Sequence, residues 1–257
     1  MRPIDRYVSA LLQTLRASLD IGERLTDREW KSPTECPLWT VRDIYAHLIG
    51  GERWMAEGHP TPGDFQDWVD AAVYERRGQP PARILAELTY VYDHRTATLA
   101  DPPDPQAPAN YPWGEPTTEE GLLATRVFDC WVHEQDIRRA VGRPGGLGSP
   151  GARVARDVFV RSLPRIVARR VGAPPRTTIR LTVVGEVGAD LAVTVDDSRR
   201  GRFVPVAEHL PTAHLTLEWE SYARLSCGRG SRADHHVWLS GDRELGERIL
   251  AELAITP

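Results

Sequence analysis

The 257-residue chain is short of several things, and each shortage closes off a class of function. It has three cysteines, Cys36, Cys130 and Cys227, far apart and with no C-x-x-C pair. That excludes a disulfide framework and a cysteine zinc finger, and a reducing cytoplasm is the expected location. No stretch is apolar for the roughly 20 residues a membrane span requires, and "MRPIDRYVSALLQTLR" lacks the apolar core and cleavage site of a signal peptide. Charge of neither sign dominates: the net charge is -4, which gives no electrostatic case for nucleic acid. Lysine is almost absent, Lys31 being the single one among 32 basic residues. There is no Gly-rich phosphate loop, no G-x-S-x-G and no H-E-x-x-H.

What is present divides into two characters. The first half reads as helices. "DRYVSALLQTLRASLDIGERL" repeats Tyr7, Leu11, Leu15 and Leu19 every four residues, which makes one apolar stripe. "TVRDIYAHLIGGERWMAEG" opens on Thr40 and Asp43, a capping box with an acid where Glu or Gln is usual. Val41, Ile44, Tyr45, Leu48 and Met55 then form its core face. "DFQDWVDAAVYERRG" and "PARILAELTYVYDHRTATLA" read as two more helices, followed by a Pro-rich loop over 101–116.

"ARVARDVFVRSLPRIVARR" reads as one connecting helix. After it come β-branched runs in "TTIRLTVVGEVGADLAVTVDD", a strand in "AHLTLEWE", a short helix in "SYARLSCGRG", a strand in "HHVWLSG" and a closing amphipathic helix. The expectation is a helical domain over 1–147 and a small α+β domain over 148–257.

The helix "TRVFDCWVHEQDIRRAVGRPG" carries the chemistry. Asp129, His133 and Asp136 fall within a wedge of roughly 60°, beside Leu122, Ile137 and Ala140, so that face points inward. Glu134, Arg138 and Arg139 lie elsewhere on the wheel and are expected to reach water. A buried carboxylate needs a partner; a metal ion and Arg126, one turn away, are the two candidates. Cys130, about 100° round from Asp129, is not expected to take part.

His47 flanks the core face of the second helix, next to Gly50 and Gly51. Glycine costs about 1 kcal/mol against alanine inside a helix, so this pair signals either close helix packing or room for a ligand. The remaining histidines offer less. His235 and His236 are adjacent and would point to opposite faces of a strand, while His59, His94, His209 and His214 lie in loops or exposed stretches without partners.

"LWTVRDIYAHLIGGERW", "FDCWVHEQDIRRAVGRPG" and "RLSCGRG…VWLSGD", in that order along nearly the whole chain, resemble the mycothiol-dependent maleylpyruvate isomerase family. The resemblance implies a DinB-like up-down four-helix bundle followed by a sterol-carrier-like α+β domain. It implies a divalent metal, zinc first and nickel or iron as alternatives, held at the positions of His47, Asp129 and His133. Mycothiol or a similar small thiol would be the cosubstrate, deprotonated and added to an electrophilic carbon of a small-molecule substrate, for isomerisation or S-transfer.

Asp136 would orient a ligating imidazole or pair with an arginine, and Arg229 would bind a substrate carboxylate. Family members of known activity carry Glu where this chain has Asp129, one methylene shorter. A non-catalytic binding module with a structural metal and a hydrolase using bound water are the competing functions, and the expected assembly is a monomer or weak dimer.

Overall fold

The structure is a computed structural model that describes residues 4–57, 65–111, 115–208 and 210–256. They fall into two compact units, Met1–Ala155 and Arg156–Pro257, the division lying a little beyond the Gly-rich segment that precedes Pro150.

In the first unit, α1 (Asp5–Gly22), α2 (Val41–Glu57), α4 (Pro81–Thr98) and α5 (Glu119–Ala140) close a ring of contacts α1–α5–α2–α4. This is a four-helix bundle, with α3 (Phe65–Tyr74) laid against α2. The stripe of Tyr7, Leu11, Leu15 and Leu19 is buried, as are Val41, Ile44, Tyr45 and Leu48 of α2. Together with Leu88, Val91, Val127 and Ile137 they form one core.

The capping box is real. The backbone N–H and hydroxyl of Thr40 both donate to Asp43 Oδ2 (2.9 and 2.8 Å), and the Asp43 N–H donates to Thr40 Oγ1 (3.4 Å). The box starts α2, whose seventh residue, His47, faces inward. The Pro-rich loop holds a small antiparallel ladder absent from the sequence reading, β1 (Pro108–Asn110) with β2 (Pro116–Thr118). Three-residue strands containing proline give no periodic signal.

The second unit holds a five-stranded sheet of order β5-β4-β3-β6-β7. Its strands are β3 (Thr178–Val184), β4 (Ala189–Val195), β5 (Gly201–Val204), β6 (Ala213–Glu218) and β7 (Val237–Gly241). Every neighbouring pair is antiparallel except β3 with β6. Ile179, Leu181, Val183, Leu215 and Leu217 alternate onto the buried face, which α7 (Trp219–Ser226) and α8 (Arg243–Ala251) cover. Strand β5, four residues long, was not expected.

The connecting helix is interrupted. Regular α6 runs Pro150–Arg165 and continues as a π-helical turn over Ile166–Arg170. Pro164 lacks the N–H that an α-helical bond at that position would use, which accounts for the change of winding. No described helix is long and apolar enough to cross a membrane.

Candidate metal centre

Two helices bring the site together. His47 projects from the middle of α2, and Asp129 and His133 project from one face of α5, one turn apart. His47 Nε2 lies 3.2 Å from Asp129 Oδ2, and His133 Nε2 lies 3.6 Å from Asp129 Oδ1. One donor atom from each of the three residues falls within 4.8 Å of the others. Donors bound at about 2.0–2.2 Å to a tetrahedral ion sit roughly 3.3–3.6 Å apart along each edge. The two imidazole–carboxylate spacings, 3.2 and 3.6 Å, are close to that edge but go to different oxygens of Asp129, and the three donors taken one per residue lie within 4.8 Å. The donor set of two imidazoles and a carboxylate suits a divalent first-row cation that draws them slightly closer.

The two imidazole side chains are each 8% exposed and Asp129 is 27% exposed, so the carboxylate marks the open side of the cluster. Burial pushes the His47 imidazole below its ordinary pKa, against the pull of Asp129, and so favours the neutral ring that a metal requires. Burial pushes the Asp129 carboxyl up, but His47, Arg126 and His133 outweigh it and hold the group far below the usual carboxylate range.

The groups around this centre fix its parts. His133 Nδ1 lies 3.1 Å from Oδ2 of Asp136, a fully buried carboxylate, leaving Nε2 turned toward Asp129. Arg126 satisfies Asp129 from the other side, its Nη1 donating to Oδ2 at 3.0 Å. Arginine and imidazoles thus share the carboxylate, and of the two partners that sequence offered for Asp129 the arginine is in place.

Arg126 is itself held by a residue that sequence reasoning passed over. Its Nε donates to Glu52 Oε1 (3.0 Å), and the other Glu52 oxygen accepts from Arg95 Nε (2.9 Å), with Glu52 fully buried. The glycines of "GGERW" mark where Arg126 sits but do not point to Glu52 itself. A Cβ on Gly51 would fall 2.5 Å from Arg126 Nη2, so the missing side chain leaves room for a guanidinium. A Cβ on Gly50 would fall 2.5 Å from the Ala72 Cβ, so that glycine serves the packing of α3 on α2.

Trp39 closes one side. Its ring centroid is 5.0 Å from that of His47 and 5.8 Å from that of His133, and the two imidazoles meet edge to face at 4.7 Å. It is presented by a tight turn bridging Pro33 to Thr40, in which Leu38 adopts the left-handed region (φ 66°). Trp39 also lines an open cleft of about 890 Å³ with Trp30, Leu38, Arg42, Tyr74 and Arg77.

Other residues behave differently from their sequence reading. Glu134 does not reach water: it is 2% exposed and accepts from Arg138 Nε at 2.7 Å. Cys130 is buried between Glu52 and Arg126 (3.6 Å to each), and burial pushes its thiol well above the ordinary value, so it supplies no nucleophile. His214 lies on β6 and has a partner, Thr182 Oγ1 at 2.9 Å. His59 and His209 lie outside the described residues. Arg229 belongs to the second unit, where it is buried and donates from Nη1 to the Cys227 carbonyl (2.9 Å).

Comparisons with known proteins bear on the fold and on the first unit. Two crystal structures of mycothiol-dependent maleylpyruvate isomerase, one of them a histidine-to-alanine variant, superpose with TM-scores of 0.61 and 0.59. Each alignment covers 92% of both chains, at 13% and 12% identity respectively, and establishes likeness of fold. Among curated sequences, an argonaute protein of Thermus thermophilus is 27% identical over 184 residues, 59% of this chain and 26% of that protein. An uncharacterized protein found in two strains of Mycobacterium tuberculosis is 23% identical over 124 residues, 44% of this chain and 48% of that protein. The chain thus spans between a quarter and a half of the length of these curated relatives. Residues 11–138, which contain His47, Asp129 and His133, match the family described as mycothiol maleylpyruvate isomerase N-terminal domain, and through this segment the chain belongs to that family.

Proposed function

We propose that the protein is a metal-dependent enzyme that uses a low-molecular-weight thiol, of the mycothiol type, to isomerise or S-conjugate a small electrophilic substrate. The observation that carries this reading is the convergence of His47, Asp129 and His133 from two helices, with the carboxylate on the open side. A divalent metal held by these three residues, zinc in the first instance, supplies the Lewis acidity that favours thiolate over thiol at neutral pH. The protein's own groups do the rest. Asp136 holds His133 through Nδ1, so that Nε2 stays turned to the centre. Arg126 anchors Asp129, and Trp39 shields the imidazoles from water. The cleft beside Trp39 combines aromatic walls, Trp30, Trp39 and Tyr74, with charges of both signs, Lys31, Arg42 and Arg77 against Asp43, Asp67 and Asp70, and suits a small polar organic molecule.

The test is metal analysis of the purified protein followed by turnover assays. Stoichiometric divalent metal in the wild type, absent from His47→Ala and His133→Ala, and thiol-dependent conversion of activated alkenes are expected. Wild-type protein that takes up no divalent metal overturns the proposal. Turnover that needs metal but no thiol replaces it with hydrolysis by bound water.

A further inference from the structure

We propose that Arg126, seated against Gly51 and braced by Glu52, cancels the charge of Asp129 and so tunes the metal centre to select an anionic ligand over a neutral one. This rests on the metal reading above. The three ligand residues bring one formal charge, that of Asp129. Its Oδ2 accepts from Arg126 Nη1 at 3.0 Å, Arg126 Nε donates to Glu52 Oε1 at 3.0 Å, and Glu52 Oε2 accepts from Arg95 Nε at 2.9 Å.

The charges along this string alternate and sum to zero. Three of its four members are almost sealed from water, with side-chain exposures of 0% for Glu52, 5% for Arg95 and 7% for Arg126. On the far side of the centre His133 leans on Asp136, whose other oxygen has Arg139 Nη1 at 3.8 Å, again one charge of each sign. Glu35, 3.6 Å from Arg139, is 26% exposed and partly screened by solvent.

A carboxylate whose charge is already compensated neutralises little of an incoming dication. In an interior of low effective dielectric the uncompensated charge acts strongly on whatever fills the open coordination position. The same arrangement holds the cation less firmly than a bare carboxylate would. Arg126 therefore trades cation affinity for anion affinity, and the glycine at 51 is the sequence feature that admits it. A merely structural Arg126 would brace Asp129 without moving either affinity in this paired way.

The experiment uses the full chain loaded with Co(II), titrated with thiocyanate by visible absorption, and Co(II) affinity measured by competition with a chromophoric chelator. Three variants are compared with wild type. Arg126→Gln combined with Glu52→Gln removes one buried charge of each sign and leaves Asp129 uncompensated. It is expected to bind Co(II) more tightly and thiocyanate roughly tenfold more weakly. Glu52→Gln alone frees Arg126 to act wholly on Asp129 and is expected to do the reverse. Arg126→Lys keeps the charge and is expected to restore thiocyanate affinity to near the wild-type value.

Should the double variant fail to fold, the opposite shift in Glu52→Gln carries the test. Thiocyanate affinities that are unchanged in folded, cobalt-loaded variants overturn this proposal and leave the metal reading intact. Wild-type protein that binds no cobalt overturns both.

Discussion

Gly51 on α2 and Arg126 on α5 occupy one space: a methyl group on Gly51 would fall 2.5 Å from Nη2 and 2.8 Å from Cζ of the guanidinium. The rigid helix backbone cannot yield, so Gly51→Ala must displace Arg126 from Glu52 and Asp129. Overpacking of this kind costs about 1–3 kcal/mol, read as a shift in the urea midpoint. The same substitution at Gly50 meets the Ala72 Cβ at 2.5 Å and is expected to cost a similar amount. The two should part company in metal affinity, which rises for Gly51→Ala, as Asp129 loses its compensating charge, and holds for Gly50→Ala. Equal metal affinities in the two variants would show that Arg126 has no hold on the centre.

Asp136 reaches the centre only through His133, whose Nδ1 is 3.1 Å from Oδ2. A carboxylate in that place fixes the ring orientation and strengthens the ligating nitrogen, and losing such a partner typically costs 10–100-fold in metal affinity. Asp136→Asn keeps the shape of this fully buried side chain and is expected to lower zinc affinity by roughly tenfold or more with little change in circular dichroism. Unchanged affinity in a folded Asp136→Asn protein would assign Asp136 to the pairing with Arg139 instead.

What sequence revealed and what it hid follow from the range of the interactions involved. The capping box at Thr40 and Asp43 and the i, i+4 pair of Asp129 and His133 are local, so spacing alone brings those groups together. Glu52 was not legible, because it gains its meaning from Arg95 and Arg126, 43 and 74 residues away along the chain.

Glu134 was read as solvated by a helical-wheel argument that assumes an exposed side. Helix α5 is buried almost all round between Leu122 and Ile137, so the wheel loses its power there. Strand β5 and the β1–β2 ladder were missed for the opposite reason: at three or four residues they are too short for alternation to show.

Trp39 offers a direct report on occupancy. Its ring lies 5.0 and 5.8 Å from the two imidazoles, whereas Trp131, between Asp129 and His133 in sequence, turns its indole N–H to the Gly146 carbonyl (3.1 Å). Binding of a paramagnetic ion such as Co(II) is expected to quench part of the intrinsic fluorescence. Trp39→Phe, which preserves an aromatic cover, should abolish most of that quenching while the protein still takes up the ion. Quenching of full size in Trp39→Phe would locate the bound cobalt elsewhere.

Glu87 on α4 gives the first unit an acid-sensitive element well separated in sequence from the metal ligands. It accepts both Arg76 Nε (2.9 Å, at Oε2) and Arg76 Nη2 (2.7 Å, at Oε1), and Arg53 Nη1 reaches Oε1 at 3.1 Å. Burial pushes the Glu87 carboxyl up, but Arg76 and then Arg53 more than offset it, so its pKa lies below the ordinary value. A carboxyl depressed on folding contributes stability in full above its unfolded pKa of about 4.3 and loses it as pH falls through the folded value.

Hydrogen bonds to charged partners contribute about 2 kcal/mol, discounted here because the Glu87 side chain is 21% exposed. Glu87→Gln should therefore lower stability at pH 7 and flatten the decline of stability between pH 5 and 3 relative to wild type. Urea midpoints at several pH values measure both effects. Parallel profiles for the two proteins would mean that Glu87 carries no charge-dependent share of the first unit's stability.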